Sequence, residues 1–189
     1  MTCTGLLGGT FDPPHRGHVL LAETAKRHFD LDPLRVLVSS DPPHKTVSTP
    51  VDTRLGLARL AFPDDDVVRD EHPYSIDTVS GYGDDAIFLV GADQFANFLT
   101  WRAPDEILER VRLGVATRPG YPRDALERVL AQLERPDRVR FFDLEPMPVS
   151  SSQIRERLRE GLPIDGLVPE AVAGEIARLA LYRGRLGVS

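Results

Sequence analysis

The stretch "TGLLGGTFDPPHRGH", residues 4–18, decides the fold class of this chain. Its apolar beginning, Thr4–Gly9, predicts a short buried strand that ends in a glycine turn. The following segment, Gly17–Phe29, carries apolar residues at helical spacing. A strand that leads through a tight turn into a helix is the first half of a βαβ unit.

The same alternation continues along the chain. Further strands are predicted at residues 34–40, 66–71, 86–93, 111–118 and 138–145, and further helices at 52–61 (with Asp52 as N-cap), 104–110, 123–133, 151–159 and 169–182. Strands that are apolar on both faces, such as "AIFLVGAD", indicate a parallel sheet covered on both sides. We therefore expect an α/β fold: one doubly wound, Rossmann-like domain over residues 1–189, with helices on both faces and a helical C-terminal part from about residue 150.

Composition excludes several classes of protein. The 189 residues carry a net charge of −6, which argues against a nucleic-acid-binding surface. The apolar runs are too short for a membrane span, and the N-terminus has no secretory pattern. A single cysteine, Cys3, excludes an internal disulfide and favours the cytoplasm. A homo-oligomer is left open.

Four clusters of glycine, histidine, serine and charged residues lie at or directly after the ends of predicted strands. They are Gly8–His18, Asp41–Lys45, Gly91–Asp93 and Met147–Arg155. In a doubly wound sheet, ligands bind beyond the carboxyl ends of the strands. We therefore expect all four clusters to meet at one edge and to form one site.

The first cluster has the chemistry of an anion site. Gly8 and Gly9 allow the backbone to approach a ligand, and Thr10 with the start of the helix can face a phosphate. His15 and His18 are three residues apart and share one helix face, from which they could stabilise charge on phosphate oxygens. The alternatives are a histidine pair divided between core and surface, or a zinc site.

The last cluster, "SSSQIR" at residues 150–155, reads as a second anion site. Serine hydroxyls and unpaired amides at a helix start can hold phosphate oxygens, and Arg155 lies one turn further on. The alternative is an ordinary helix cap beside a surface arginine.

Together these motifs resemble a known family. "GTFDPPHRGH" (9–18) and "VSSSQIR" (149–155) are similar to the two signatures of the His-x-Gly-His nucleotidyltransferases, in particular the bacterial nicotinate-mononucleotide adenylyltransferases. Further matches are "PPHK" (42–45), "SIDT" (75–78), "GAD" (91–93), "TW" (100–101) and "LVPEAV" (167–172). They occur in the family's order and span nearly the whole chain.

The resemblance implies adenylyl transfer from ATP to nicotinate mononucleotide, giving deamido-NAD and pyrophosphate in NAD biosynthesis. It implies Mg²⁺ carried by the ATP phosphates, with no metal ligand from the protein. The catalytic residues it implies are His15, His18, Lys45 and Arg155. The residues it implies for ATP binding are Gly8, Gly9, Thr10, Phe11, His15, His18, Gly91, Asp93, Ser151, Ser152 and Arg155. Those it implies for the second substrate are Lys45, Thr78 and Trp101.

One segment departs from the family pattern. The family usually has a full helix after the Ile-Asp-Thr motif, but here only "VSGYGDD" (79–85) precedes the next strand, which leaves room for a turn or so of helix. Alternative functions are adenylyl transfer to nicotinamide mononucleotide or 4′-phosphopantetheine, or a nucleotide sensor without turnover.

Overall fold

A six-stranded parallel sheet forms the centre of the molecule in the computed structural model, which describes residues 3–42 and 46–183. Its strands are β1 (Cys3–Gly9), β2 (Leu31–Ser39), β3 (Asp66–Asp70), β4 (Ala86–Gly91), β5 (Arg112–Thr117) and β6 (Val139–Asp143). The strand order is β3-β2-β1-β4-β5-β6, with every neighbouring pair parallel. β1 lies between β2 and β4, where the direction of winding reverses. The doubly wound parallel sheet is confirmed.

Helices cover both faces of this sheet. They are α1 (Arg16–Phe29), α2 (Val51–Ala61), α3 (Ser75–Val79), α4 (Ala92–Ala96), α5 (Pro104–Arg110), α6 (Arg123–Leu130), α7 (Ser151–Arg159) and α8 (Glu170–Arg178). Successive residues of β1 point to opposite faces, so that Leu7 packs with the helices α1, α2, α7 and α8 and Leu6 packs with α3 to α6. No helix within residues 3–42 and 46–183 is long and apolar enough to cross a membrane.

The structure differs from the sequence expectation in the segment after β4. The strand ends at Gly91, and Asp93 lies in the first turn of α4 rather than at the end of the strand. α3 is a five-residue helix, as the short "VSGYGDD" segment predicts.

The expected cap of α2 is also different. The helix begins at Val51 after Pro50, and Asp52 does not cap it. Its carboxylate lies inside the first turn and pairs with Arg69 of β3. Proline already has the backbone angle suited to a helix start, so the helix begins one residue earlier than the sequence suggests.

The C-terminal helix ends earlier than predicted. α8 stops at Arg178, and Ala180 and Tyr182 then take positive φ angles of 52° and 61°. This turn directs Tyr182 back toward the loop that follows β1, where its hydroxyl meets Asp12. The end of the described chain thereby becomes part of the site.

Candidate active site

The loop from Thr10 to His15 joins β1 to α1 and forms the centre of the site. Phe11 has a positive φ of 50° and a side chain that is only 1% exposed. Its ring lies edge-on to His18, with centroids 5.0 Å apart. A Cβ at Gly9 would lie 2.9 Å from that ring, so glycine is required there. The Phe11 ring thus packs against His18. Because the Phe11 side chain is buried, a ligand could contact Phe11 mainly through its backbone.

The two signature histidines form a stacked pair at the start of α1. Their ring centroids are 3.7 Å apart, with 23° between the ring planes. The backbone N–H of His15 donates to Nδ1 of His18 at 3.2 Å. Because Nδ1 of His18 accepts this hydrogen bond, its neutral ring carries the proton on Nε2. His18 is therefore a hydrogen-bond donor through Nε2.

His15 is the more buried of the two histidines, and burial changes its protonation. Its side chain is 8% exposed, and within the described part of the chain its Nδ1 has no hydrogen-bond partner. Burial lowers the pKa of His15 to about 4. His15 is therefore neutral at pH 7 and can act on a phosphate as a hydrogen-bond donor rather than as a cation.

Gly17, between the two histidines, makes this packing possible. A Cβ at Gly17 would lie 3.0 Å from Nδ1 of His15 and 3.2 Å from Cγ1 of Val149. Sequence reasoning did not single out Gly17. The available signal was its position inside the His-x-Gly-His motif, next to a histidine that has to pack closely.

The start of α7 is attached directly to the loop after β1. The Ser151 hydroxyl donates to the carbonyl of Pro13 at 2.8 Å, and Nη1 of Arg155 donates to the carbonyl of Asp12 at 2.7 Å. Nη2 of Arg155 donates to Oγ of Ser152 at 3.2 Å. The structure thus brings the two predicted anion motifs together, and these side chains also position the loop.

Asp12 is a buried carboxylate in the middle of the loop. It is 6% exposed, and its Oδ1 accepts a hydrogen bond from the Tyr182 hydroxyl at 2.6 Å. Burial and this carboxylate together raise the pKa of Tyr182, so the phenol keeps its proton. Sequence reasoning missed Tyr182 because nothing in the sequence pattern signals that the chain turns back after α8.

The predicted ribose site lies at the end of β4, beside β1. Gly91 ends the strand, and Asp93 is exposed, with its Oδ2 3.9 Å from Nη2 of Arg118. Arg118 also lines a cavity of about 470 Å³ beyond the ends of β5 and β6, together with Thr117 and Phe142. A carboxylate and a cavity large enough for a nucleobase therefore occur next to each other.

Thr78 does not present a free hydroxyl proton. Its Oγ1 donates to Oδ2 of Asp70 at 2.8 Å. The other oxygen of Asp70 lies 3.0 Å from Nδ1 of His72. Toward a ligand, Thr78 oriented in this way offers only oxygen lone pairs.

Trp101 is partly buried and fixed by aromatic neighbours. It lies edge-on to Phe98, with ring centroids 5.3 Å apart. The next residue, Arg102, places its guanidinium 4.9 Å from the ring centre of Tyr74, which precedes α3. This contact brings the Trp101 segment and the Thr78 helix into one neighbourhood, as a shared binding role requires.

Two further sequence predictions are Lys45 as a catalytic residue and, as an alternative for the histidine pair, a zinc site. Lys45 lies outside the described residues. Within the described ranges, no group of three or more His, Cys, Asp or Glu side chains could hold a metal ion. Cys3, one candidate for completing a zinc site, is at the amino end of β1, opposite to the histidine pair.

Comparisons with known proteins show the family to which the chain belongs. The sequence model of the cytidylyltransferase-like family matches residues 6–157. This chain belongs to that family. Among its relatives, a probable nicotinate-nucleotide adenylyltransferase of Bordetella avium is 40% identical, with 95% of this chain and 97% of that protein aligned. One of the same description from Moorella thermoacetica is 34% identical over 96% of this chain and 92% of that protein.

Solved structures show the same fold for this cytidylyltransferase-like chain. The Plasmodium falciparum nicotinic acid mononucleotide adenylyltransferase complexed with NaAD superposes with a TM-score of 0.76 at 15% identity, covering 96% of this chain and 98% of that one. A structure described as a putative nicotinate-nucleotide adenylyltransferase from Vibrio parahaemolyticus gives a TM-score of 0.60 at 18% identity, covering 97% and 96% of the two chains. At these identities the likeness concerns the fold.

Proposed function

We propose that this protein transfers the adenylyl group of ATP to nicotinate mononucleotide, giving deamido-NAD and pyrophosphate in NAD biosynthesis. The observation that carries the proposal is the stacked pair of His15 and His18, held at the start of α1 against the start of α7. The names of the relatives supply the acceptor. We place the reaction in the cytoplasm, in keeping with the single cysteine.

The reaction needs positioning and charge stabilisation rather than a protein nucleophile. A phosphate oxygen of the mononucleotide bonds to the α-phosphorus of ATP, and the bond from that phosphorus to the oxygen bridging it to the β-phosphate breaks. The bonding electrons leave with pyrophosphate. His18 donates from Nε2 to an α-phosphate oxygen, where negative charge builds up in the transition state. His15, neutral and buried, donates to the neighbouring phosphates.

The transfer uses a divalent cation, which we propose is Mg²⁺ bound to the ATP phosphates. Because the described residues offer no three-ligand cluster of His, Cys, Asp or Glu, phosphate oxygens and water would supply most of its ligands. When bound there, the cation would neutralise charge on the leaving pyrophosphate. We assign Lys45, which lies between β2 and α2 in the sequence, to the same phosphates.

The remaining site residues divide between the two substrates. Asp93 accepts from the ATP ribose hydroxyls, and the cavity beside Arg118 takes the adenine. Trp101 stacks on the pyridine ring, and Thr78 contacts its substituent. A carboxamide could donate to Thr78 as it stands, whereas a carboxylate requires the Thr78 hydroxyl to turn away from Asp70.

The experiment that tests the proposal compares acceptors under identical conditions. The protein is incubated with ATP, Mg²⁺ and either nicotinate mononucleotide, nicotinamide mononucleotide or 4′-phosphopantetheine, while pyrophosphate release is recorded and the products are identified. We expect deamido-NAD, with a higher kcat/KM for the acid than for the amide. If no pyrophosphate is released with either pyridine mononucleotide, the proposal is contradicted. ATP binding without any product would support the sensor alternative.

A further inference from the structure

Arg54 is a buried arginine directly behind the loop that follows β1. Its side chain is 1% exposed. Nε donates to the carbonyl of Thr49 at 3.1 Å, and Nη1 donates to the carbonyls of Thr10 at 2.8 Å and Ser39 at 2.7 Å. Nη2 donates to the carbonyl of Ser40 at 3.1 Å. One side chain of α2 thus ties together the carboxyl ends of β1 and β2.

These partners satisfy the hydrogen-bond donors without neutralising the charge. All four acceptors are backbone carbonyls, which carry dipoles and no net charge. Burial lowers the pKa of Arg54, and the nearby Asp12 carboxylate opposes this effect. A guanidinium nevertheless remains protonated in proteins, so a positive charge is fixed behind the loop.

Within residues 3–42 and 46–183, Asp12 is the carboxylate whose charge favours protonation of Arg54, and it already accepts another hydrogen bond. The Oδ1 atom of Asp12 accepts the hydrogen bond of the Tyr182 hydroxyl, and the four hydrogen bonds of the Arg54 guanidinium described above all end on backbone carbonyls. A buried charge that is incompletely compensated is unfavourable until an anion binds nearby. The adjacent loop, which carries the histidine pair, is where the proposed function puts the triphosphate.

We propose that Arg54 is a positioning residue. Its buried guanidinium fixes the carboxyl ends of β1 and β2 beside the Thr10–His15 loop, and its charge attracts the triphosphate of ATP to that loop. The proposal rests on the proposed function only in placing the triphosphate at that loop. Arg54 contacts protein carbonyls and acts through them and through its electric field. Arg54 should therefore strengthen the binding of ATP through its phosphates and leave the binding of adenosine unchanged.

The size of the effect follows from Coulomb's law. For two unit charges at an assumed separation of about 10 Å in an effective dielectric constant of about 20, the interaction changes Kd about tenfold. A burial-protected charge is screened less by salt than a surface charge. The effect should therefore persist at physiological ionic strength.

The test compares ATP with adenosine, both measured by calorimetry on the full chain without any acceptor. For Arg54→Met we expect ATP to bind about tenfold or more weakly, while the Kd of adenosine stays at the wild-type value. For Arg54→Lys, which keeps the charge but cannot serve four carbonyls, we expect a lower melting temperature and a nearly unchanged ratio of the two Kd values.

Arg138 provides a matched control. The side chain of Arg138 is 12% exposed, and its Nη2 lies 2.7 Å from Oδ1 of Asp84. Arg138 directly precedes β6, at the opposite edge of the sheet from the Thr10–His15 loop. Arg138→Met should change stability and leave both Kd values unchanged.

If Arg54→Met weakens the binding of ATP and of adenosine by the same factor, the proposal is overturned, because such a result indicates a distorted pocket and no electrostatic role. Unchanged ATP binding would overturn it as well. If Arg54→Met does not fold, Arg54→Lys decides, because a ratio that shifts despite the retained charge contradicts the proposal. These measurements involve no turnover, so a failure of adenylyl transfer to the pyridine acceptor leaves them interpretable.

Discussion

Acid should destabilise this protein through His15 in particular. The pKa of His15 is lowered by burial from 6.5 to about 4. Between these values the unfolded chain binds a proton that the folded protein does not, so the free energy of unfolding falls as the pH falls from 6.5 toward 4. At about 1.36 kcal/mol per pKa unit, His15 alone should remove about 2.5 kcal/mol of stability between pH 7.5 and pH 4.5.

The assay is urea unfolding of wild type and His15→Gln at a series of pH values, followed through the fluorescence of Trp101, the only tryptophan. Glutamine does not titrate, so the difference in unfolding free energy between the two proteins isolates the histidine. That difference should change by about 2.5 kcal/mol from pH 7.5 to 4.5, in the direction that disfavours wild type in acid. His28→Gln, an exposed histidine on the same helix, controls for removing a histidine as such. A difference that stays constant with pH would refute the buried, unprotonated state of His15.

Three further substitutions test individual contacts. Gly17→Ala should push the His15 ring aside and lower kcat about 10- to 100-fold with little loss of stability, as measured by steady-state kinetics and melting; unchanged kcat would contradict this. Tyr182→Phe leaves the buried Asp12 oxygen without its donor and should cost about 1–3 kcal/mol in urea unfolding; an unaltered midpoint would show that the contact is unimportant. Trp101→Leu should raise the KM of the pyridine mononucleotide about tenfold while the KM of ATP stays constant, and a parallel rise in both would argue against stacking.

The parts of the fold that could be predicted depend on local patterns. Apolar β1 and the glycine turn after it are visible in "TGLLGG", and the alternation of strands and helices predicts the doubly wound sheet. The sequence pattern extends β4 too far, because "GAD" continues an apolar strand without a marked break. Only the structure shows that Gly91 takes an extended conformation and that the chain then enters α4.

The parts of the site that could not be predicted depend on contacts between distant residues. Arg54 has the surroundings of an ordinary helical arginine in sequence, and its burial arises only when β1, β2 and α2 meet. Tyr182 and Asp12 are 170 positions apart. By contrast, His15 and His18 were identifiable because their spacing alone brings them to one helix face.

Thr78 illustrates a middle case. The motif "SIDT" identifies the residue as a candidate, but the hydroxyl orientation depends on Asp70 at the end of β3. That carboxylate stands at a different strand end, and sequence spacing does not reveal the contact. The relative rates with acid and amide acceptors therefore also report on whether the hydroxyl turns.

The proposed function requires adenylyl transfer to take place at the histidine pair, with His18 donating to the α-phosphate. The most direct measurement is kcat for wild type and His18→Ala with ATP, Mg²⁺ and nicotinate mononucleotide, together with the Kd of ATP for both proteins. We predict that kcat falls about 100-fold or more while ATP still binds, because the lost hydrogen bond acts mainly in the transition state. A His18→Ala variant that retains most of the wild-type kcat would show that His18 does not stabilise the transition state.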